Sequence, residues 1–552
     1  MLTLHWLTRC VPGLSILLLI SLITVMFSDV KSWFFLPLAC VLMTYSVIIH
    51  VDTFIFAIRL PYALLHVNRG VMDALRRRGE KSTKQAASAS QYRDDDRDET
   101  RAEDAGRAKL DVVGGQEGEV VHLIIVPNYM EDVSTLKSTL DVLASHPRAR
   151  TQYEICLAME QKEACASEKA AHLASLHEKS FRAVVPSYHP SGVPGEIAGK
   201  SANVAFAARM AMERHRAVPG KCEDLIFTVM DADTHLARDY FSEIRRLHYL
   251  HPHENRRTLY VCPIIFDRNA HRIPVFVRCA DLLWAMAGIS ALVEPWPISI
   301  PTSVYSLPLV LAEEVNGWDA DPNAIGEDMH MLLKCYFGTG GTITTRTVFS
   351  PASQCNVEGG GDTRIAKYID TLGARYRQGL RHMWGALDTG FAVRSAFSRP
   401  VARVGLKHVL LLHLLWEAHF LPIHLTVLLI FSSIYTAITP PDAIHPYLAW
   451  VFWFTGLLRT LSFIGMNVAL YFYDRYHATA VSTRAQDMAR AALTDGFSYR
   501  PLKFQFLADR ILFPVAGAIF GTVPAIQAEI SHFWTDRLVY RVSAKPLFKM
   551  SA

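Results

Sequence analysis

Carboxylates recur just after the short apolar runs of this chain, and carboxylates gathered at one edge can bind a metal and, through it, a phosphate. They are Glu131 in Asn128-Tyr129-Met130-Glu131, Glu160 after residues 153–159, and the pair in Asp231-Ala232-Asp233 after residues 224–230. Side by side they cannot all stay ionised without a counter-charge. A divalent cation is the economical answer, because Mg2+ and Mn2+ take oxygen ligands and usually bind through one or two carboxylates plus substrate phosphates. Gly199-Lys200 adds a phosphate partner. It opens the helical stretch 201–216, whose first amides and dipole favour an anion, and Lys200 brings a full positive charge. Together these residues read as a site for a nucleoside diphosphate with its metal. Asp-x-Asp alone is a weak signal, since Asp94/Asp96 and Asp319/Asp321 share the spacing; the strand-like run 225–230 is what singles out Asp231 and Asp233.

Bringing such residues together requires a sheet. Residues 120–126 form a β-branched run closed by Pro127, and 153–159, 181–185 and 224–230 are further strand-like runs. Between them Leu136, Leu140 and Leu143 share one helical face, and 168–177 and 201–216 read as helices. Strand and helix in alternation predict a parallel α/β sheet, whose ligands bind beyond the carboxyl ends of the strands.

Composition supplies the setting. The chain has 552 residues, 51% hydrophobic, 11% aromatic and 20% charged. It is too apolar for an ordinary soluble enzyme and too charged to lie wholly in a membrane, which leaves one soluble domain joined to several spans. A net charge of +4 gives no field that argues for nucleic acid. Nine cysteines without a C-x-x-C motif suit a reducing compartment.

Residues 11–27 and 33–51 are apolar enough to cross a bilayer, the second run reaching Arg59 with only Asp52 interrupting. Runs 420–438 and 447–473 follow the soluble part, joined by Thr439-Pro440-Pro441-Asp442, which carries no Lys or Arg. Basic residues cluster after Arg59 and after Tyr473, so both sides of the soluble part are expected in the cytosol. Run 511–528, with Pro514 and Pro524 near its ends, is expected to be a re-entrant or interfacial hairpin rather than a full span. Residues 80–118 have almost no large apolar side chain and read as a poorly ordered linker. Arg459, near the middle of its run, faces a polar path or snorkels to the surface. His413, Glu417 and His424 share a helical face, with spacing that suits either a metal or an amphipathic surface helix.

Further motifs stand in a telling order. After Gly195-Glu196-Ile197-Ala198-Gly199-Lys200-Ser201-Ala202-Asn203 and Asp231-Ala232-Asp233 come Gly317-Trp318-Asp319, Gly326-Glu327-Asp328-Met329-His330 and Arg377-Gln378-Gly379-Leu380-Arg381-His382-Met383-Trp384-Gly385. Over residues 120–390 the chain resembles the membrane-bound family 2 glycosyltransferases, the group of the cellulose, chitin and hyaluronan synthases. The resemblance implies an α/β GT-A fold, a Rossmann-like nucleotide-sugar domain, combined with an α-helical transmembrane region. It also implies inverting transfer from a nucleotide sugar, most often a UDP-sugar, with Mg2+ or Mn2+.

By the same resemblance Tyr129, Glu131 and Glu160 line the nucleoside pocket, Asp231 lies near the ribose, and Asp233 holds the metal on the diphosphate beside Lys200. Asp328 falls at the general base, next to Glu327, and Gln378 and Arg381 fall in the Q-x-x-R-W motif. Of Glu327 and Asp328, only one is expected to do chemistry. His330 is an alternative metal ligand, Arg381 a brace for the diphosphate, and Trp384 a platform for a sugar.

Two departures stand out: Glu160 replaces the usual Asp, and His382 takes the Trp position, with Trp384 two residues late. The displaced Trp puts processive elongation in doubt and favours single transfer to a saccharide or lipid-linked acceptor at the bilayer. A polymer-exporting synthase and a catalytically inactive membrane scaffold are the alternatives. The expected organisation is two membrane helices in 1–60, a cytosolic segment with its linker in 61–118, and the transferase domain in 119–400. An interfacial helix and two or three membrane helices follow in 401–530, then a cytosolic tail in 531–552.

Overall fold

The computed structural model describes residues 2–28, 35–94, 120–216, 224–398, 405–494 and 505–539. Its centre is a seven-stranded sheet. The four apolar runs read from the sequence become β1 (Val121–Asn128), β2 (Tyr153–Glu160), β3 (Ala183–His189) and β4 (Leu225–Val229). They lie parallel in the order β3-β2-β1-β4, with helices Val133–Ala144, Ala166–His177 and Lys200–Arg216 between them in the chain. β2 and β4 are buried at every position, as strands covered on both faces must be. Asp132 caps the first helix, its side chain accepting from the Ser134 amide at 2.7 Å.

The sheet then departs from the all-parallel expectation. Besides the two-residue strands β5 (His235–Leu236) and β7 (Ile264–Ile265), the chain forms β6 (Thr258–Val261), β8 (Tyr305–Pro308) and β9 (Thr344–Thr347). The order continues β4-β8-β6-β9, with β8 antiparallel to both its neighbours. These four-residue strands are too short to show a period in the sequence. A second sheet, β5-β10-β7 with β10 at Ala352–Ser353, brings residues 354–355 against the end of β4.

Among the described residues, four helices are long and apolar enough to cross a membrane: Phe35–Glu80, Leu421–Ile438, Pro446–Arg490 and Leu507–Ser531. Val11–Met26 is a shorter apolar helix. The helix that begins at Phe35 runs on to Asp94, so the first part of the expected linker is helical, and 95–119 lie outside the described residues. At about 1.5 Å per residue, 60 residues reach roughly three times the bilayer core of about 30 Å. The surplus packs on the α/β unit. Leu60, Leu64, Val67 and Val71 join its hydrophobic core, as do Tyr473 and Tyr476 of helix Pro446–Arg490. Arg78–Asp487 and Arg484–Asp267 (3.1 Å) fasten the two helices to each other and to the domain. Leu19, Leu42, Met43, Leu428, Phe431 and Leu448 form a separate apolar core among the apolar helices.

The expected hairpin at 511–528 is corrected. Gln505–Gly517, a π-helical turn at Ala518–Thr522, and Val523–Ser531 form one continuous helix. The wider turn and neighbouring packing accommodate Pro514 and Pro524 without a reversal of the chain. This helix lies along two helices of the α/β unit. Asp509 pairs with Arg278 of Val275–Ile289 at 2.5 Å, and Tyr376 of Arg364–Met383 donates to Gln527 at 2.7 Å. Gly379 sits where an added Cβ would come within 2.5 Å of the Phe520 carbonyl, so only glycine permits that approach. Residues 533–536 dock on the amino-terminal helix, through Trp6 to the Phe533 carbonyl (3.0 Å) and Arg9 to Asp536 (3.2 Å). Arg459 faces its neighbour helix, 3.4 Å from His50 Nε2.

Candidate active site

Three parallel strands end side by side and set the first wall of the site. Register places Asn128 opposite Met159 and Glu160 opposite His189, while Met230 donates to the Ile125 carbonyl and delivers Asp231 to the same edge. The loop after β1 turns through Met130, whose φ of 59° is left-handed. It is held by Glu163, which accepts from Asn128 Nδ2 (3.2 Å) and the Met130 amide (2.9 Å), and by Lys169 donating to the Glu131 carbonyl (2.9 Å). Lys162 Nζ lies 4.4 Å from the centre of the Tyr129 ring.

Glu160 is buried and touches His189 Nδ1 (3.3 Å), whose Nε2 meets Glu196 at 2.8 Å. Burial opposes charge on His189, but the two glutamates outweigh it and hold its pKa above the usual range. Lys162, His189 and Glu196 were not picked out from the sequence; proximity in the fold is their only signal.

The second wall joins the ends of β4 and helix Glu327–Gly338 through one ammonium. Lys200 Nζ stands 2.9 Å from Asp231 Oδ1 and 3.1 Å from Glu327 Oε2, and the carboxylates around it hold its pKa up against burial. Asp233 is 1% exposed; its carboxylate accepts from the Cys355 amide (3.2 Å) and its carbonyl from Arg268. Gln354 bridges Ser303 (2.6 Å), Thr234 (3.2 Å) and Asp231 (3.5 Å).

Glu327 and Asp328 differ in what holds them. Glu327 is buried, accepts from the Tyr305 hydroxyl and pairs with Lys200, and Trp318 donates to Tyr305 at 2.6 Å. Asp328 is half-buried, accepts from the amide of Met329 (2.9 Å), and lines the cavity. Burial and the Glu327 charge push its pKa up to about 7, against the pull of Lys200.

His330 does not face this space. Its ring is clamped between Asp388 (2.6 Å) and Asp319 (3.1 Å), so the expectation of a metal ligand there is corrected: both nitrogens already have carboxylate partners. Burial opposes its charge, but Asp388 and Asp319 prevail and hold its pKa at about 9; Asp319 in turn is held down at about 2.

Helix Arg364–Met383 supplies the third wall with Gln378, Arg381 and His382. Trp384 is again a correction. The helix ends at Met383, and Trp384 turns inward, 4% exposed, packing with Leu387 and Ala528 and donating to the Asp536 carbonyl at 3.2 Å. The aromatic face in the cavity comes from Trp284, stacked on His382 with centroids 4.4 Å apart. Trp284 lies in an apolar stretch of sequence with no motif around it.

Tyr129, Glu131, Glu160, Lys200, Asp231, Asp233, Glu327, Asp328, Gln378, Arg381 and His382 thus line one cavity of about 550 Å3, a size that suits a small-molecule ligand. Near it, Asp52, His413 and Glu417 bring possible ligand atoms within 4.8 Å of one another. Arg59 already meets Glu417 at 2.8 Å and His413 meets Asp52 at 2.8 Å, so two carboxylates face a guanidinium and an imidazole without an ion. His424 turns away, to Ser15 (3.0 Å) and Tyr45.

Residues 226–463 match the family model described as Glycosyl transferase family group 2, a stretch that includes Asp231, Asp233, Asp328 and Arg381 but not Tyr129, Glu160 or Lys200. Among curated proteins, no sequence matches the chain. Among solved structures, the chain is similar to mannosyltransferase PcManGT from Pyrobaculum calidifontis, in complex with GDP-Man and Mn2+. That likeness has 14% identity and a TM-score of 0.40, covering 69% of this chain and 93% of that one. Another is to GalNAc-T7 with UDP, GalNAc and Mn2+, at 10% identity and a TM-score of 0.31, covering 52% and 55%. Residues 226–463 are therefore similar to family 2 glycosyltransferases, and they belong to a chain that has a mixed α/β sheet and, among the described residues, four apolar helices of membrane-spanning length.

Proposed function

We propose that the protein transfers one sugar, with inversion, from a UDP-sugar to an acceptor hydroxyl at the cytosolic face of a membrane. The observation that supports this most is the convergence of Lys200, Asp231, Asp233 and Asp328, from separate stretches of chain, on the cavity that also holds Gln378 and Arg381. Tyr129, Glu131 and Glu160 are the nucleoside side of that reading, and Lys200 and Arg381 the diphosphate side. Sidedness rests on Arg69, Arg76, Arg77 and Arg78 after the apolar run 33–51 and on Arg475, Arg484 and Arg490 after the run 447–473.

Metal binding fits the donor set. The carboxylates of Glu131, Glu160, Asp231, Asp233, Glu327, Asp328 and Glu417 outnumber the cations Lys162, Lys200, Arg375 and Arg381 around the cavity, and burial together with the Glu327 charge raises the Asp328 pKa. Asp233, with Asp231 beside it, would hold Mg2+ or Mn2+, which when bound neutralises charge on the departing diphosphate.

The remaining steps belong to side chains. Asp328 accepts the acceptor's hydroxyl proton as that oxygen attacks the anomeric carbon from the face opposite the diphosphate. The bond from that carbon to the diphosphate oxygen breaks, and UDP leaves beside Lys200 and Arg381. Glu327, fixed by Tyr305, keeps Lys200 in place.

The test is a panel of nucleotide sugars offered to the purified protein with Mg2+ or Mn2+. UDP release that stops with EDTA and returns with added metal is the expected result; no nucleotide released from any donor rejects the reading. A ladder of long products would reject single transfer in favour of a processive synthase.

A further inference from the structure

The cavity that holds Asp328 has a wall for which a water-soluble donor has no use. Phe56, Leu414, Leu421, Pro422, Phe520 and Gly521 line it, and three of the four helices of membrane-spanning length contribute to them. An apolar surface continuous with membrane helices matches the chain of a lipid.

Polar atoms without partners stand in the same lining. Gln378 Oε1, Glu417 Oε1 and both ring nitrogens of His419 have no hydrogen-bond partner, and all three residues face the cavity. Gln378 is 9% exposed, His419 4%, and the Glu417 side chain 8%. A buried polar atom left unpaired costs on the order of 1–3 kcal/mol, so a ligand that pairs with it gains accordingly.

Their chemistry narrows the ligand. A carboxylate and an amide oxygen only accept, and burial keeps His419 neutral, with its pKa pulled down to about 4. Hydroxyl groups donate to such atoms and suit the set. A phosphate offers acceptor oxygens, which do not pair with the acceptor atoms of Gln378 and Glu417.

Space is provided too. The helix is wound as a π-turn over Ala518–Thr522, and a Cβ added at Gly521 would meet no atom within 4 Å. π-turns are frequent at functional sites.

We infer that the acceptor is an uncharged, hydroxyl-bearing lipid, a glycolipid or lipid alcohol. Its head lies among Gln378, Glu417 and His419, its reacting hydroxyl lies at Asp328, and its apolar part lies along Leu414, Leu421, Pro422 and Phe520. The inference rests on the proposed transfer from a UDP-sugar and names the acceptor of that site. The hydroxyl proton passes to Asp328, the oxygen bonds to the anomeric carbon, and UDP departs with the bonding pair.

The experiment offers radiolabelled UDP-sugars to the purified full chain in three arms. One contains phosphatidylcholine vesicles with a monohexosyl lipid, one the same vesicles with a polyprenyl phosphate, and one a soluble oligosaccharide. Label in the organic extract of the first arm alone is expected. UDP release with the label on the phosphate lipid, on the oligosaccharide or on a water-soluble polymer overturns this inference and leaves the donor reading standing. Absence of UDP release in every arm overturns the donor reading and this one with it.

Gly521→Phe fills the space beside the π-turn and is expected to raise KM for the monohexosyl lipid about tenfold or more, roughly 1.4 kcal/mol. Gly79→Ala, outside the cavity and with nothing near the added Cβ, is expected to leave that KM near wild type. Equal KM for Gly521→Phe and the wild type overturns the inference. If Gly521→Phe fails to fold, Leu421→Trp reads the same wall.

Discussion

Replacing Asp328 by Asn removes the proposed base while keeping its size, and two quantities follow. The amide cannot take a proton, so turnover is expected to fall by about 10²–10⁴-fold, the usual contribution of a positioned base. That corresponds to roughly 2.7–5.5 kcal/mol of lost transition-state stabilisation. UDP affinity is expected to persist, because Lys200 and the end of β4 are unchanged.

The second quantity is the acid limb of kcat/KM, which reports the free enzyme. Asp328 titrates near 7, well above an ordinary aspartate, because of burial and Glu327, and it works only when ionised. Activity is therefore expected to rise as pH rises through that region. A bound divalent cation favours the carboxylate and moves the midpoint below 7. Glu327→Gln removes the neighbouring negative charge and is expected to move the limb further towards acid. The assay is UDP release across roughly pH 5 to 9, centred on about 7, with fixed metal. A flat profile, or an Asp328→Asn variant within tenfold of wild type, would refute the assignment of the base.

Three further outcomes concern the scaffold and the walls. His330→Ala leaves Asp388, which is 0% exposed, without its partner and is expected to cost about 3–5 kcal/mol. In the wild type the raised His330 pKa means that this stability is fully present below about 6.5 and fades as pH rises through about 9, which thermal melts across that window would read. Arg278→Ala strands the buried Asp509 and is expected to lower stability by a similar few kcal/mol, seen as a lower melting temperature and proteolysis near residue 505. Trp284→Ala is expected to weaken acceptor use with little effect on UDP binding, whereas Trp384→Ala is expected to destabilise the fold by about 3–5 kcal/mol. The reverse pattern in steady-state kinetics and melts would return Trp384 to the cavity.

By itself the sequence determined what depends on local pattern. β1 to β4 and the helices between them were legible because apolar runs and 3.6-residue periods need no distant partner. The carboxylates at the strand ends were legible for the same reason, since a parallel sheet delivers whatever follows its strands to one edge. Helices of membrane-spanning length announced themselves through their long apolar runs.

Tertiary structure alone decided the rest. The short strands β6, β8 and β9 exist through their neighbours, and the helix at 505–531 stayed continuous because contacts with two other helices favour that over a hairpin. Spacing placed His330 and Trp384 near the chemistry, but direction is set by packing: Asp319 and Asp388 claim the imidazole, and the 364–383 helix ends one residue before the indole. Trp284, His419 and Gly521 entered the cavity from stretches with no motif at all, brought there by helix contacts between residues far apart in the chain. A motif records which atoms are available, whereas the side a residue faces is a property of everything packed around it.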